Sequence, residues 1–195
     1  MPTLDAALAE LRRSFERFDP LPDSVWADVR RPWRLRAVRR GEVLTRAGET
    51  ERTLSLVVEG VQRLSFLADG REVTVAFVYP PDLSGVPDSF FLQTPSAYAL
   101  DALTDGQVLA ADHGDVAALL DRHRELERWA WKLFAAAGAG RAKRERELLT
   151  LSAEDRYRRL LREAPHVLQL AAQKHVASYL GMSPETLSRV RSGRS

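Results

Sequence analysis

Cysteine is missing from all 195 residues of this sequence. Without a thiol, the chain can form no disulfide, no cysteine nucleophile and no iron–sulfur cluster of the cysteine-ligated kind. The absence is compatible with a reducing compartment. The chain has only 4 histidines, which lie apart from one another without a His-x-x-x-His spacing, so the sequence predicts no metal site.

Long apolar runs are missing as well. No stretch approaches the roughly 18 uncharged apolar residues of a membrane-spanning helix, and the first residues mix charges with leucines instead of forming a signal-peptide core. We therefore expect a cytoplasmic protein with no membrane partner. The patterns G-x-x-x-x-G-K-S/T, G-x-G-x-x-G and G-x-S-x-G are also absent, and no constellation of residues indicates an enzyme.

The charge is distributed unevenly along the chain. Residues 141–195 hold 12 Lys and Arg against 6 Asp and Glu, a net charge of +6, whereas residues 1–140 hold 17 against 21, a net charge of −4. A basic end suggests that this end meets a polyanion such as nucleic acid. A solvated helical surface is the alternative, and charge alone does not separate the two.

The hydrophobic pattern changes its period along the chain. Apolar residues at helical spacing predict an amphipathic helix over residues 4–18 and a short helix over residues 23–29. Between about 33 and 112, short β-prone runs alternate with glycine turns, which predicts a sandwich or a barrel.

The last two β-prone runs, 97–105 and 106–112, are interpreted as the pair of strands that closes this β-structure. Asp101 and Asp105 lie in the first of them. Because aspartate is common in turns at strand ends, we assign both to that role.

Residues 125–150 predict one long helix that contains the small-residue stretch AAAGAG at 135–140. Small residues allow two helix backbones to approach closely, and each glycine costs about 1 kcal/mol relative to alanine, so packing should offset that cost. We expect a dimer-forming helix. The alternatives are a core helix packed on its own barrel, or a break near Gly138.

A helix-turn-helix pattern begins at Gln173. The fifth residue of this window, where the two helices cross, is the small Ala177, and the ninth is Gly181, which suits a turn with positive φ. Ser183 is placed to cap the second helix and Pro184 to occupy its first position. The remaining apolar positions of the motif are Val176, Leu180, Met182, Leu187 and Val190.

Glu185, Ser188 and Arg189 are spaced i, i+3 and i+4 in this second helix and therefore share one face. Arginine can donate to guanine O6 and N7, and glutamate can accept from the cytosine amino group. We interpret the three as base-contacting residues of a DNA-reading helix. The alternative is an exposed Glu–Arg pair that only stabilises the helix, by roughly 0.2–0.5 kcal/mol.

These features together resemble the Crp/Fnr family of bacterial transcription regulators, most clearly in EDRYRRLL and KHVASYLGMSPETLSRVR. The resemblance implies an α+β fold with an N-terminal double-stranded β-helix or jelly-roll barrel, a long dimerisation helix and a C-terminal helix-turn-helix domain. The corresponding domains are residues 1–121, 122–150 and 151–195. It also implies a homodimer that binds double-stranded DNA and contacts RNA polymerase.

The recognition helix SPETLSR resembles the Fnr branch, whose base-contacting Glu, Ser and Arg fall on Glu185, Ser188 and Arg189. This similarity implies a palindromic operator with TTGA-like arms. The β-hairpin wing that usually follows the recognition helix is reduced, since four residues follow Arg191. Phosphate contacts are then expected from Lys174, His175, Ser183, Thr186, Arg191 and Arg194, with strongly salt-dependent binding.

The effector pocket departs from the family's cyclic-nucleotide pattern, in which a Gly-Glu pair holds the ribose and an Arg-Ser pair neutralises the cyclic phosphate. Here Gly85 lacks an adjacent Glu and Pro95 stands where Arg is expected, while Asp88, Ser96 and Ala97 remain as pocket residues. A buried phosphate without its arginine costs on the order of several kcal/mol. We therefore do not expect cAMP by the usual contacts. No obvious residue replaces the arginine, and the effector is unknown, since the barrel could also serve only as a scaffold.

Two other classes of function compete with this interpretation. One is a sensory or interaction module whose helix-turn-helix contacts a protein rather than DNA, against which the basic C-terminal quarter argues. The other is an enzyme that uses the barrel cavity, and no group of residues in the sequence supports it.

Overall fold

A computed structural model of the chain describes residues 2–193. Arg194, one of the residues predicted to contact phosphate, lies outside the described residues. No helix in the described range is long and apolar enough to cross a bilayer. In the same range, no group of three or more His, Asp or Glu side chains is arranged to hold a metal ion.

Helices flank a β-sandwich in sequence. The helices are α1 Leu4–Glu16, α2 Asp23–Val29, α3 Pro87–Leu92, α4 His113–Arg122, α5 Arg124–Thr150, α6 Ala153–Glu163, α7 Val167–Leu170, α8 Gln173–Tyr179 and α9 Pro184–Arg191. The strands are β1 Arg34–Val38, β2 Val43–Thr45, β3 Thr53–Glu59, β4 Gln62–Ala68, β5 Arg71–Val78, β6 Leu83–Ser84, β7 Ala99–Ala102 and β8 Gly106–Asp112. This is the predicted α+β, jelly-roll-like architecture.

Two antiparallel sheets with the orders β1-β8-β3-β6 and β2-β7-β4-β5 make up the sandwich. The expectation that the last two strands pair with each other is wrong: β7 pairs with β2 and β4, whereas β8 pairs with β1 and β3. In a jelly roll the chain crosses between sheets, so strands that follow one another in sequence need not share a sheet. As a result β5 stays an edge strand and offers one side to the C-terminal helices.

The N-terminal helices complete the core of the sandwich. The apolar stripe of α1 is buried, and its Phe15 ring stacks on Trp129 of α5 with centroids 4.0 Å apart. Trp33, Leu56 and Leu109 belong to the same buried cluster. The N-terminal part of α5 therefore packs on the barrel of its own chain.

The long helix α5 continues through Gly138 without a break. Leu126 and Trp129 face inward, but a different stripe of the helix is exposed and includes Trp131, with 71% of its surface accessible, and Phe134. The predicted dimer helix and the alternative of a core helix thus apply to different faces: one face is core, and the other is largely exposed in the single chain.

The C-terminal helices form a small core of their own. Ser152 caps α6 by accepting a hydrogen bond from the Asp155 N–H at 3.1 Å. Leu160, Val176, Leu180 and Leu187 are buried together between α6, α8 and α9. This core sets how the two helices of the helix-turn-helix cross.

Leu187 is among the most deeply buried side chains of this small core, at 1% exposed. We expect Leu187→Ala to destabilise the protein by about 2–5 kcal/mol, because it leaves a cavity that short helices cannot close. Urea unfolding followed by circular dichroism measures the loss. The matched control is the neighbouring exposed Ser188→Ala, expected within about 0.5 kcal/mol of the original chain. Equal stability of the two variants would contradict the assigned packing.

Candidate nucleic-acid interface

The turn between α8 and α9 has the geometry that the sequence predicts. Gly181 adopts φ +65°, and a Cβ built on it would lie 2.9 Å from Leu148 Cδ2 of the long helix. Ala177 is fully buried at the helix crossing. The Gln173 side-chain amide donates to the Pro184 carbonyl at 3.3 Å, which ties the start of α8 to the start of α9.

The start of α9 is capped as expected. Ser183 Oγ accepts from the Thr186 N–H at 3.2 Å, and Pro184 occupies the first position. The hydroxyl of Ser183, and then the backbone N–H of Glu185, lower the pKa of the Glu185 carboxyl. Both effects favour the ionised carboxylate, which has two acceptor oxygens and no donor.

Glu185, Ser188 and Arg189 are all exposed on one side of α9, while Leu187 points into the core. Among the described residues no ion pair joins Glu185 and Arg189, so the two charged groups are not neutralised by each other. Arg189 Nη2 instead lies 3.4 Å from Thr186 Oγ1. The face carries an acceptor, a hydroxyl and a guanidinium that are all accessible to a ligand.

The residues predicted to contact phosphate are placed differently from one another. Lys174 and Arg191 are exposed at the start of α8 and the end of α9. The hydroxyls of Ser183 and Thr186 lie 3.2 Å apart at the cap. His175 is half-buried, and its Nδ1 lies 2.6 Å from a guanidinium nitrogen of Arg63 in β4.

Arg63 and Asp101 form a charge pair that the sequence interpretation missed. They face each other in register on β4 and β7, with Arg63 Nε 3.0 Å from Asp101 Oδ1. The strand-end assignment is therefore wrong for Asp101, which lies inside β7, while Asp105 accepts from the Arg40 N–H at 2.8 Å in a turn. The available signal was a single charge within each of the two strands, opposite in sign.

The predicted effector-pocket residues surround the loop between β2 and β3. Gly85, with φ +146°, lies next to the Glu51 carboxylate. The buried Ser96 accepts the Gly48 N–H through its carbonyl at 2.7 Å and bonds the Tyr98 backbone through its hydroxyl. Ala97 is exposed. Hydrogen bonds within the chain thus hold Ser96 between the β2–β3 loop and Tyr98.

Glu51, which the sequence interpretation did not single out, lies at the centre of these contacts. Its side chain is buried, and Oε2 accepts from the Thr45 hydroxyl at 2.6 Å and from the Val86 N–H at 3.2 Å. Oε1 accepts from the Thr53 N–H at 3.1 Å. The backbone donor beside Gly85 is therefore already bound to a carboxylate of the same chain.

A cation does lie near the pocket, although the sequence showed no replacement for the missing arginine. Arg141 of α5 places its guanidinium 5.7 Å from the Tyr98 ring centroid and 3.6 Å from Asp88 Oδ1. The sequence interpretation, which found no obvious replacement for the arginine, did not single out Arg141 because it is distant in sequence from the pocket residues. Its charge is already opposed by Asp88.

Comparison with known proteins places this architecture. Residues 35–123 match the cyclic nucleotide-binding domain family. The chain is similar to FixK2 from Bradyrhizobium japonicum, with 24% identity over 83% of each chain and a TM-score of 0.68. It is also similar to the catabolite activator protein of Thermus thermophilus, with 25% identity over 89% of this chain and 83% of that one and a TM-score of 0.54. The chain has the Crp/Fnr fold.

A third similar structure is CLP, a c-di-GMP responsive global regulator from Xanthomonas campestris. It shares 17% identity over 88% of this chain and 91% of that one, with a TM-score of 0.66. A comparison with curated protein sequences gave no match. The resemblance predicted from the helix-turn-helix and the barrel pattern is confirmed, while the domain boundaries and the roles of single residues in this Crp/Fnr fold stay predictions.

Glu51→Ala tests the internal bonding of the pocket. We expect the free energy of unfolding to fall by about 1–3 kcal/mol, because buried donors on Thr45 and Val86 lose their acceptor. Thermal and urea unfolding measure the change. Exposed Glu49→Ala in the same loop is the matched control, with an expected change within about 0.5 kcal/mol; an equally small change for Glu51→Ala would show that its carboxylate does not bond the pocket.

Proposed function

We propose that this protein is a sequence-specific DNA-binding transcription regulator that acts as a homodimer on a palindromic operator. One observation carries the proposal: a capped helix of a helix-turn-helix presents Glu185, Ser188 and Arg189, unpaired with one another, on an exposed face. In this class of motif, residues at the start of the second helix contact base edges in the major groove.

The three side chains supply complementary chemistry for that contact. Arg189 has the fork of donors that suits guanine O6 and N7, and the Glu185 carboxylate accepts from a cytosine amino group. Ser188 can donate or accept. TTGA-like arms contain G·C and A·T pairs that this set can distinguish, which supports the operator implied by the family resemblance.

Phosphate contacts are assigned to the residues at the edges of the motif. Lys174 and Arg191 are exposed at both ends of the helix pair, and the predicted contacts from Ser183, Thr186 and Arg194 belong to the same assignment. His175 donates from its second ring nitrogen if it takes part, because Nδ1 faces Arg63. These contacts fix the register of the protein on the duplex, and base contacts specify the sequence.

The exposed stripe of α5 supports the homodimer. Trp131, Phe134, Gly138, Ala142 and Leu149 recur at spacings of three, four, four and seven residues and so lie along one side of the helix. Both Trp131 and Leu149 are mostly exposed in the single chain, at 71% and 80%. A second copy of the helix would bury this stripe in an isologous contact, with the small residues allowing close approach.

The pocket supports a regulator that does not respond to cAMP. A cyclic phosphate needs backbone donors and a free cation, but Val86 N–H is bound to Glu51 and Arg141 is opposed by Asp88. A phosphate there would add an anion beside two carboxylates, which is unfavourable at short distance. We infer that the barrel serves as scaffold and dimer support, or takes an effector of other chemistry.

Arg189→Ala tests the base-contact assignment. We expect a loss of about 1–3 kcal/mol in binding an inverted repeat with TTGA-like arms, together with relaxed preference at one base pair per half-site, because one bidentate guanine contact is removed. Fluorescence anisotropy with a panel of single-base operator variants measures both quantities. Unchanged preference at every position would contradict the assignment.

Lys174→Ala is the matched comparison, since Lys174 is an exposed cation of the same motif without a base-contacting role. This substitution should weaken binding to all DNA sequences similarly and reduce the dependence of binding on salt by about one phosphate contact. An effect confined to particular bases would assign Lys174 to base recognition instead.

Addition of cAMP tests the pocket. We expect neither detectable binding by calorimetry nor a change in operator affinity, because the anion donors are already used within the chain. The regulatory domain of Toxoplasma gondii PKA, which was co-crystallised with cAMP, serves as a positive control for the titration. A cAMP-dependent gain of operator binding would refute the assignment of Glu51 and Asp88 as internal partners.

A further inference from the structure

The first helix of the helix-turn-helix rests on the barrel. The backbone N–H of Thr74 in edge strand β5 donates to Ser178 Oγ of α8 at 2.9 Å. Phe77 of the same strand packs on Tyr179, with ring centroids 5.1 Å apart. These contacts hold the helix pair at a defined place on the barrel, which we call its seat, so it is not connected to the barrel by a linker alone.

A buried arginine, Arg63 of β4, lies next to this contact between α8 and the barrel. The Arg63 side chain is 7% exposed, its Nη2 lies 2.9 Å from Asp101 Oδ1, and its Nη1 lies 2.8 Å from Glu72 Oε2. The hydrogen bond from Arg63 is the largest effect that lowers the pKa of Glu72. Two carboxylates on the flanking strands thus fix the guanidinium in place and compensate for its burial.

The same guanidinium reaches across the domain boundary. Arg63 Nη1 lies 2.6 Å from Nδ1 of His175 in α8. Arginine has only donors, so Nδ1 must be the acceptor and must carry no proton. The contact therefore exists only with a neutral imidazole, which holds its proton on the other ring nitrogen.

We propose that Arg63 is a positioning residue for the DNA-reading unit: through its hydrogen bond to His175, it holds the helix-turn-helix in one orientation on the barrel. The inference rests on the proposed function. A dimeric reader must present two recognition helices at a fixed separation. A unit held in that orientation before binding loses less conformational freedom when it meets DNA.

The chemistry of the contact makes this orientation depend on pH. Protonation of His175 turns its acceptor into a donor and sets an imidazolium against a guanidinium. The charged groups that face the ring are Arg63 from β4, Glu72 from β5, Asp101 from β7 and Lys174 on its own helix. Burial, followed by Arg63 and Lys174, lowers the pKa of His175, against the opposing effect of the two carboxylates.

Because the pKa of His175 is lowered, the contact with Arg63 is favoured at high pH and lost at low pH. The seated helix binds the His175 proton more weakly than a released helix, whose ordinary pKa is 6.5. The contact is therefore complete above pH 6.5 and is lost as the pH falls below it and through the lowered value. Acidification should release the helix-turn-helix from its seat.

A distance measurement tests this directly, and the absence of native cysteine makes it simple. A dye pair for single-molecule energy transfer is attached to two introduced cysteines. One is Leu67→Cys on β4, where the side chain is 68% exposed, and the other is Gln169→Cys on α7. Doubly labelled chains are mixed with an excess of unlabelled chains so that only distances within one chain are read. We expect one narrow distribution at pH 7.5 that broadens at pH 5.5.

Three variants separate positioning from general stability. His175→Gln keeps an acceptor for Arg63 but cannot titrate, so its distribution should stay narrow at both pH values. Arg63→Met should broaden the distribution at both. Because that change leaves Asp101 without its cation, Arg63→Met/Asp101→Asn is measured as well, with folding checked by circular dichroism. A narrow distribution in the double variant, or no response of the original chain to pH, would overturn the proposal.

Operator binding gives a second readout. We expect Arg63→Met/Asp101→Asn to bind the operator about three- to tenfold more weakly at pH 7.5, as orientation must then be fixed on binding. In the original chain, affinity should fall between pH 7.5 and 5.5, and His175→Gln should remove the part of that fall due to His175. Affinity that rises on acidification, and no longer rises in His175→Gln, would show an ionic phosphate contact instead.

The distance measurement and the operator-binding measurement test the seat and the proposed function separately. The distances need no DNA, so a narrow, Arg63-dependent distribution in a protein that binds no operator would keep the seat and reject the proposed function. Specific operator binding that is unaffected by the loss of Arg63 would keep the proposed function and reject Arg63 as a positioning residue.

Discussion

The apolar contact between the helix-turn-helix and edge strand β5 determines where the surface proposed to read DNA lies. Phe77 and Tyr79 of the barrel pack against the same small core that holds α6, α8 and α9 together. Because α8 is seated there, α9 is left with its polar face outward. The barrel, the long helix and the reading helix thus form one connected body, and the buried charge cluster of Arg63 supplies direction to a contact that apolar packing alone would leave less specific.

The internal hydrogen bonds of the pocket region are the basis for the proposal that the barrel does not take cAMP by the usual contacts. The donors near Gly85 are bound to Glu51, and the cation from α5 is opposed by Asp88. Carboxylates of the chain occupy the positions where an anionic effector would need free partners. If the protein binds DNA as proposed, its control would then lie in the contact of the helix-turn-helix with the barrel, in the abundance of the protein or in an effector of other chemistry.

Local sequence rules predicted the elements of the DNA-reading motif well, because caps, turns and helix faces depend on neighbours three to nine residues away. The Ser183 cap, the positive φ of Gly181 and the exposure of Arg189 follow from such spacings. The strand pairing of β7 and β8, the seat of α8 and the bonding of Glu51 depend on contacts between distant parts of the chain. No local period reveals these contacts; only the isolated charges Arg63 and Asp101 hinted at one of them.

The central claim is that this chain reads DNA sequence as a dimer without an added ligand. Selection from a random pool of duplexes by the purified, ligand-free protein tests it most directly, with the bound complex sized by mass. The account predicts enrichment of an inverted repeat, with two chains per duplex and half-site centres about 10 base pairs or one helical turn apart. Enrichment of no sequence, with only salt-sensitive general binding, would contradict it.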